Sequence, residues 1–560
     1  MRLRTGIVLL LCFCLSSNAL ALDKQEVEKK PKPVLHPAAT AWDRPGASHR
    51  ELLVGQPSDA GMTEEPLEEI DGVIEEAIAQ KLIPGAVVLV ARRGVIVKEQ
   101  AYGFAARYAD DAFTRLRHPI RMQPDTMFDL ASISKLFTAT AIMQLADRGL
   151  VQLDAPVASY LPEFAANGKE KVTIRQLLTH TSGFQAYMPL YKKGGSRAER
   201  LQAVLCQPLV HPPGSTFAYS DLNMIALGAL VERRTGQRLD SYVQANILTP
   251  MGMTRTMYNP PKQWEQQTAA TEFQQSPERG LVWGSVQDEN AWALGGAAGH
   301  AGLFGTARDL AVFGQMFLNG GTYKGKRILS AQSVASMAAN QLAALPGEEH
   351  GLGWELGRGA YMDALGDGLA MGHTGFTGTA LVVSKSQETI AVLLTNRIHP
   401  TRETESITPL RSRVFRQVAL AIPVHKPWRD GAWFAGAGDE RQATLTAQVM
   451  LPGGGTLTYD TWYRLENEYD FGYLEVSPDG KSWLSVASPV TGESDWAGAA
   501  CRLPEGTRYI RFRCATDATI NGRGWYVHHP AVYDAKGRPV QADWVAEGWH
   551  HETAREEEKQ

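Results

Sequence analysis

The chain has 560 residues, 44% of them hydrophobic and 21% charged, a globular composition on a length that predicts two or three domains. Its 56 basic and 60 acidic residues leave a net charge of −4, which excludes a strongly basic nucleic-acid binder and a polybasic membrane-surface protein. The chain starts with a basic "MRLR", an apolar run over 6–15, and "SSNALA" with small residues at Ala19 and Ala21. This reads as a secretory signal over 1–21, cut after Ala21. Its apolar run is about half the ~20 residues that a membrane span needs. No later stretch is longer, so no transmembrane span is expected, and the mature protein is expected to be periplasmic or secreted. Cys12 and Cys14 leave with the signal, which leaves Cys206, Cys501 and Cys514. The last two either form a disulfide in an oxidising compartment or are buried thiols.

Residues 22–60 lack apolar periodicity, carry several prolines and read as a linker or loose arm. From residue 61 the pattern changes. "PLEEIDGVIEEAIAQKLI" sets Leu67, Ile70, Ile74, Ala77 and Ile78 on one helical face. "PGAVVLVARRGVIVKEQAYG" reads as two strands with a turn near Arg93-Gly94. Strand candidates "TALVVSKS" and "TIAVLLTN" and a helix over "RSRVFRQVALAI" close an α+β domain at residue 422. Eight of the 13 tryptophans then follow residue 427, in short alternating segments. In "YLEVSPDGKSW", Leu474 and Val476 face one way before an Asp479-Gly480 turn; in "YIRFRC", Ile510, Phe512 and Cys514 share a side. These patterns predict an all-β sandwich over 430–545, with the tryptophans in its core. Residues 546–560 form a charged tail.

Chemistry concentrates at "FDLASISKLFTATAIM" (128–143). Ser132 and Lys135 are three apart at the start of an apolar helix, so they share a face. A serine hydroxyl needs a neighbouring group to take its proton, and a helix N-terminus offers N–H groups to a developing oxyanion. Such a spacing is common by chance, but two clusters accompany it. "FAYSDLNMIALG" places Tyr219 two residues before Asp221, and "MGHTGFTGTALVVS" places His373-Thr374-Gly375 immediately before a strand.

Serine-lysine, then Tyr-x-Asn, then Lys-Thr-Gly is the order in serine β-lactamases and penicillin-binding proteins. Residues 62–422 resemble this β-lactamase-related serine hydrolase family, nearest to class C enzymes, D-alanyl-D-alanine carboxypeptidases and related esterases. "TIRQLLTHTSGF" (173–184) and "GSVQDENAWALGGAAGHAGLFGTARDLAVFG" (284–314) are similar to further blocks of it. The resemblance implies an antiparallel sheet flanked by helices plus a helical subdomain. It implies Ser132 as the acylated nucleophile, Lys135 as its activating partner, and Tyr219 as general base, held as or near phenolate by the lysine. The backbone N–H groups of Ser132 and Phe376 would form the oxyanion hole; Asp221, His373, Thr374 and Gly375 would meet the substrate. No metal or other cofactor is implied.

Two departures bear on chemistry. Asp221 stands where the family often has Asn; its charge favours a protonated Lys135 and shifts the base role to Tyr219. His373 stands in place of lysine, and a neutral imidazole holds a substrate carboxylate less well and in a pH-dependent way. The resemblance implies a peptidoglycan D-alanyl peptide or β-lactam as substrate, and His373 keeps a simple ester as the alternative. Elsewhere, His180 and Thr181 read as braces of a turn beneath the site, and His300 is not assigned a role. Asn396-Arg397 could recognise a carboxylate or simply place a cation at the surface. Residues 430–545 resemble the jelly-roll modules of secreted peptidases. His528 and His529 replace acidic residues common there, so no ion site is carried over. A different class, a wall- or glycan-binding protein with an inactive hydrolase scaffold, is disfavoured by the intact Ser132, Lys135 and Tyr219.

Overall fold

The structure, a computed structural model, describes residues 41–553. The signal-like segment, the first half of the arm and the last seven residues of the expected tail lie outside the described residues. The rest of that tail is folded, since strands Asp543–Glu547 and His550–Glu552 run through it and Trp549 is buried. The second half of the arm is not loose. Trp42 is buried, and Asp43 pairs with Arg92 and Arg93 at 2.7 and 3.0 Å. Strand β1 (Leu53–Val54) then joins the main sheet in parallel. Isolated anchors of this kind leave no periodic trace in sequence.

Helix α1 (Glu65–Ala79) buries Leu67, Ile70, Val73, Ile74 and Ala77, as its 3.6-residue period requires. Ile78 is half-buried at the rim of the same core. Strand β2 (Gly85–Arg92) turns through Arg93 (φ 51°) and Gly94 (φ 77°) into β3 (Val95–Tyr108). Two successive left-handed residues match the right-handed twist of the flanking strands. Every residue of β2 is buried: Val87, Leu89 and Ala91 face one core, and Ala86, Val88 and Val90 the other. Each fully buried Val or Leu contributes about 1.5–3 kcal/mol, so this strand is stable only when covered on both faces.

The remaining strands of the sheet are β4 (Arg115–Arg121), and, after the short pair β5 (Phe128–Asp129) and β6 (Leu303–Gly305) of a separate small sheet, β7 (Glu355–Leu356), β8 (Ala370–Thr374), β9 (Ala380–Ser384) and β10 (Thr389–Thr395). The order is β1-β3-β2-β10-β9-β8-β7, with β4 added on β3. His373 and Thr374 thus end β8, instead of preceding a strand as the motif suggested; the Gly375–Thr379 turn leads on to β9. One face is covered by a helical region that includes α2 (Ser134–Asp147), α3 (Asp221–Thr235), the short α4 (Glu289–Ala293) and α5 (Ala307–Leu318). The other face carries α1 and α6 (Thr408–Leu420), packed through Val414, Phe415 and Val418.

Two antiparallel sheets follow. The first contains β11 (Ala432–Phe434), β13 (Gly455–Arg464), β16 (Glu493–Leu503), β18 (Gly524–Asp534), β19 (Pro539–Val540) and β21 (His550–Glu552). The second contains β12 (Gln442–Leu451), β14 (Phe471–Ser477), β15 (Leu484–Ser485), β17 (Thr507–Ala515) and β20 (Asp543–Glu547). Leu474, Val476, Ile510, Phe512 and Cys514 fill the core that both sheets share. Trp462, Trp525 and Trp549 are buried and the other five C-terminal tryptophans are half-buried, so none forms an exposed platform. Phe434, Trp462 and Tyr526 also enter the core under α1 and α6, which ties these sheets to the hydrolase-like region. Cys501 and Cys514 are free thiols on different sheets, which removes the disulfide alternative. Among the described residues, no helix is long and apolar enough to cross a membrane.

Candidate active site

The nucleophile segment is positioned by hydrogen bonds that begin at β5. This strand pairs with β6, and the buried Asp129 carboxylate accepts from Ala131 N at 2.9 Å and Gln287 N at 2.6 Å. The first bond closes a tight turn in which Ala131 adopts φ 47° and delivers Ser132 into a single 3₁₀ turn continuous with α2. Burial pushes the Asp129 carboxyl up to about 6, against the pull of the two N–H groups. Both carboxylate oxygens accept, so an asparagine there would aim an amide N–H₂ at a backbone donor. Asp129→Asn is expected to cost about 1–3 kcal/mol, read as a lower midpoint in urea denaturation.

Lys135 is buried, with its Nζ 2.7 Å from Ser132 Oγ, 2.8 Å from Asp221 Oδ1 and 3.2 Å from the His300 carbonyl oxygen. Three oxygens around one nitrogen suit an ammonium, which has three protons to donate. Burial opposes its charge, but Asp221 and Tyr219 outweigh that and hold the Lys135 pKa above its ordinary value. Lys135 is therefore no base at neutral pH. The Tyr219 ring centre lies 4.9 Å from the same Nζ, which places the phenol at the Ser132–Lys135 pair. Burial raises the Tyr219 pKa; Lys135 pulls it down and Asp221 pushes it back up, with a net rise. The resting group is thus a neutral phenol, not the phenolate expected from the resemblance. The reason is burial together with the negative Asp221.

His180 sets the tyrosine. Its Nδ1 accepts from Ser220 N at 3.1 Å and from the Asn223 amide at 3.2 Å, and its carbonyl accepts from Ala218 N at 2.9 Å. Its ring lies 4.6 Å from that of Tyr219. Thr181 bonds Thr179 at 2.9 Å in the same turn. Both are braces.

On the opposite wall, the Gly375–Thr379 turn is stitched to the nucleophile segment. Thr377 and Thr379 donate their hydroxyls to the Asp129 and Leu130 carbonyls at 2.7 and 3.2 Å. A side chain at Gly375 would meet the Leu130 carbonyl at 2.6 Å, so only glycine permits this approach. The turn therefore packs against the Leu130–Ala131 backbone that leads into Ser132; the N–H groups of Phe376 and Ser132 are the pair expected to form an oxyanion hole. His373 is buried; its Nδ1 faces the Thr374 carbonyl at 2.8 Å, and its Nε2 has no partner. Burial lowers its pKa, so it is a neutral imidazole and supplies no charge to substrate at any pH near neutral.

Asn396 and Arg397 separate. Asn396 is buried and donates to the Phe104 and Ala105 carbonyls at 3.2 and 3.0 Å. Arg397 donates to the Phe376 carbonyl at 3.1 Å and lines a cavity of about 350 Å³ with Thr374, Gly375, Phe376 and Arg411. Arg411 in turn donates to the Gly375 and Thr379 carbonyls at 3.1 and 3.2 Å. Asp129 and Arg411 do not stand out in the sequence, because their partners lie far along the chain. Asp288 is visible there only as part of its block. It receives His300 Nε2 at 2.9 Å, and although burial works against its charge, His300 draws its carboxyl down to about 2. His300 is buried against Asp288. Asp221, Asp288 and His300 lie within 4.8 Å of one another, a cation-like cluster, but the Lys135 ammonium already neutralises Asp221 there.

A family model described as Beta-lactamase matches residues 70–414. The chain belongs to this family. Among similar curated proteins is one named "Putative D-alanyl-D-alanine carboxypeptidase" from Salmonella enteritidis PT4, 33% identical over 390 residues that cover 64% of this chain and 89% of that protein. A second of the same name, from Salmonella typhi, has the same identity and coverage. Among solved structures, EstCE1, a hydrolase with promiscuous acyltransferase activity, shares the fold at a TM-score of 0.50 and 23% identity, over 63% of this chain and 99% of its own. A penicillin-binding protein homologue from Caulobacter crescentus does so at 0.50 and 20%, over 64% and 99%. Family membership extends over Ser132, Lys135, Tyr219 and His373 alike.

Proposed function

We propose that this family member is an exported serine hydrolase that cleaves D-alanyl peptides of the cell wall through an acyl-enzyme on Ser132. The exported location rests on residues 1–21 of the sequence. The reaction rests on the convergence of Ser132, Lys135 and Tyr219. The substrate class rests on one observation: the cavity beyond Thr374-Gly375 is lined by two guanidinium groups, Arg397 and Arg411. A D-alanyl peptide ends in a carboxylate, and arginine is the side chain best shaped to receive one. The relatives named as carboxypeptidases support the same class.

An ester substrate is the second reading. It is favoured by the neutral His373 and by the apolar ring of Phe376, 46% exposed beside the cavity. The two readings separate on Arg397→Ala. For a D-alanyl peptide, KM is expected to rise at least about tenfold with kcat little changed, since a charge-assisted hydrogen bond contributes about 1.5–3 kcal/mol. For an uncharged ester, kcat/KM should stay within about twofold. Turnover of esters alone, indifferent to Arg397, would decide for the second reading. The C-terminal sheets enter this proposal only as a packed extension, because their tryptophans are turned into cores.

A further inference from the structure

Away from the cleft, three carboxylates converge at the junction between the C-terminal sheets and the hydrolase region. Glu466 and Asp470 lie between β13 and β14, and Asp517 follows β17. One ligand oxygen of each falls within 4.8 Å of those of the other two. The cluster alone would mean little, since acidic loops are common. What distinguishes it is Asp470, whose relative exposure is 0%. Its Oδ1 accepts from Asp517 N at 3.0 Å, while its Oδ2 is enclosed and finds no hydrogen-bond partner. A carboxylate taken out of water with one oxygen unsatisfied is among the costlier groups a protein can bury. Of the guanidinium groups at this junction, Arg416 is committed to Asp363 at 2.9 Å and Asp439 at 2.6 Å, Arg464 pairs with Glu493 and Asp495, and Arg523 donates to the Ile422 carbonyl.

We propose that Glu466, Asp470 and Asp517 bind one calcium ion. The donors are all oxygen, which suits a hard cation and excludes the nitrogen and sulfur preferences of zinc. They come from two separate loops, and calcium accepts the irregular six- to eight-fold shells that such loops provide. Magnesium requires a near-octahedral shell and gives up its waters reluctantly, so an enclosed carboxylate suits it less.

The ion would act on the junction rather than on the reaction. The loop that carries Asp517 accepts from Glu440 N at 2.6 Å through its carbonyl and continues to Asn521. Asn521 donates from its amide to Asp439 at 2.6 Å and accepts from Gly438 N at 2.9 Å. Its backbone N–H reaches Asp363 at 3.4 Å. Glu466 and Asn521 also line one crevice with Asp363 and Gly359 of the hydrolase region. Calcium therefore joins the 466–470 and 517–521 loops at the point where both meet the rest of the chain.

The test uses the full chain, stripped with EDTA and titrated calorimetrically with calcium and with magnesium, alongside thermal melts. One calcium per chain is expected, with magnesium at least tenfold weaker and a melting temperature several degrees higher in saturating calcium. Asp470→Asn removes the buried charge and gives its amide two carboxylates to donate to. It should weaken calcium binding at least tenfold, yet melt in EDTA at or above the wild type. Asp517→Asn should weaken binding without that gain. Identical wild-type melts in EDTA and calcium with no heat of binding would overturn the proposal, as would calcium binding unchanged in both variants. Magnesium binding as tight as calcium would overturn the choice of ion. None of these readouts measures turnover, so their failure leaves the hydrolase reading untouched.

Discussion

Tyr219→Phe is expected to slow acylation by about 10²–10⁴-fold, the usual contribution of a positioned general base. The reason begins at Lys135. An ammonium that faces Ser132, Asp221 and a carbonyl, and whose pKa is held up by two anionic or polarisable neighbours, cannot take the serine proton. The Tyr219 phenol, whose ring centre is 4.9 Å from Lys135 Nζ, is the group at that pair proposed to do so. It must first lose its own proton, since the resting group is a phenol. In the proposed mechanism the phenolate would take the hydroxyl proton as Ser132 Oγ bonds the acyl carbon, and the phenol would then return that proton to the leaving group. Phenylalanine keeps the ring against His180 but has no oxygen for either transfer. Single-turnover acylation measured by rapid quench distinguishes this from a binding defect, because only the bond-making step should slow. An unchanged rate in the phenylalanine variant would remove the tyrosine from the proton path.

Asp221→Asn is expected to move the pH dependence of acylation to lower pH by roughly 1–2 pH units, the size of effect that a neighbouring charge exerts. The sign follows from the site's charges. Asp221 raises the pKa of Lys135 by attraction and that of Tyr219 by repulsion of the phenolate. Removal of its charge lowers both. The trio titrates together, and its reactive form is the one with a proton fewer, so activity should rise with pH in the wild type along a limb set by the coupled pair. The asparagine variant reaches the same form at lower pH and should be the faster enzyme at neutral pH, by about tenfold for each pH unit that the limb moves. Its kcat/KM profile from pH 5 to 10 reads the limb directly. A limb that stays in place or moves upward would show that Asp221 does not govern the proton inventory. Tyrosine removal and aspartate neutralisation thus have opposite effects at the same pH.

The parts of the site legible in the sequence are those set by short spacing. Ser132 and Lys135 stand three apart on what becomes one helical run, and their 2.7 Å contact follows from that spacing alone. Alternating residues along β14 and β17 reveal which side chains enter the C-terminal core. Tyr219 required the resemblance, because nothing local connects it with a serine so far upstream. What escaped depends on distant partners or on burial. Asp129 is paired with Gln287 N, 158 positions away, and the two arginines beside Gly375 meet only in the folded chain. The protonation of Tyr219 and the neutrality of His373 follow from desolvation, which sequence does not express. The same holds for residues 41–60, where a buried tryptophan and one aspartate between two arginines replace a periodic face.

Every step of this chemistry requires Ser132 to carry an acyl group. Intact-mass spectrometry after incubation with benzylpenicillin or an active-site phosphonate, followed by peptide mapping, reads that group and its position. A single adduct located on Ser132 is expected in the wild type, formed more slowly with penicillin in Tyr219→Phe, and no adduct in Ser132→Ala. An adduct that persists in Ser132→Ala, or a wild-type chain that neither reagent modifies, would contradict the acyl-enzyme mechanism.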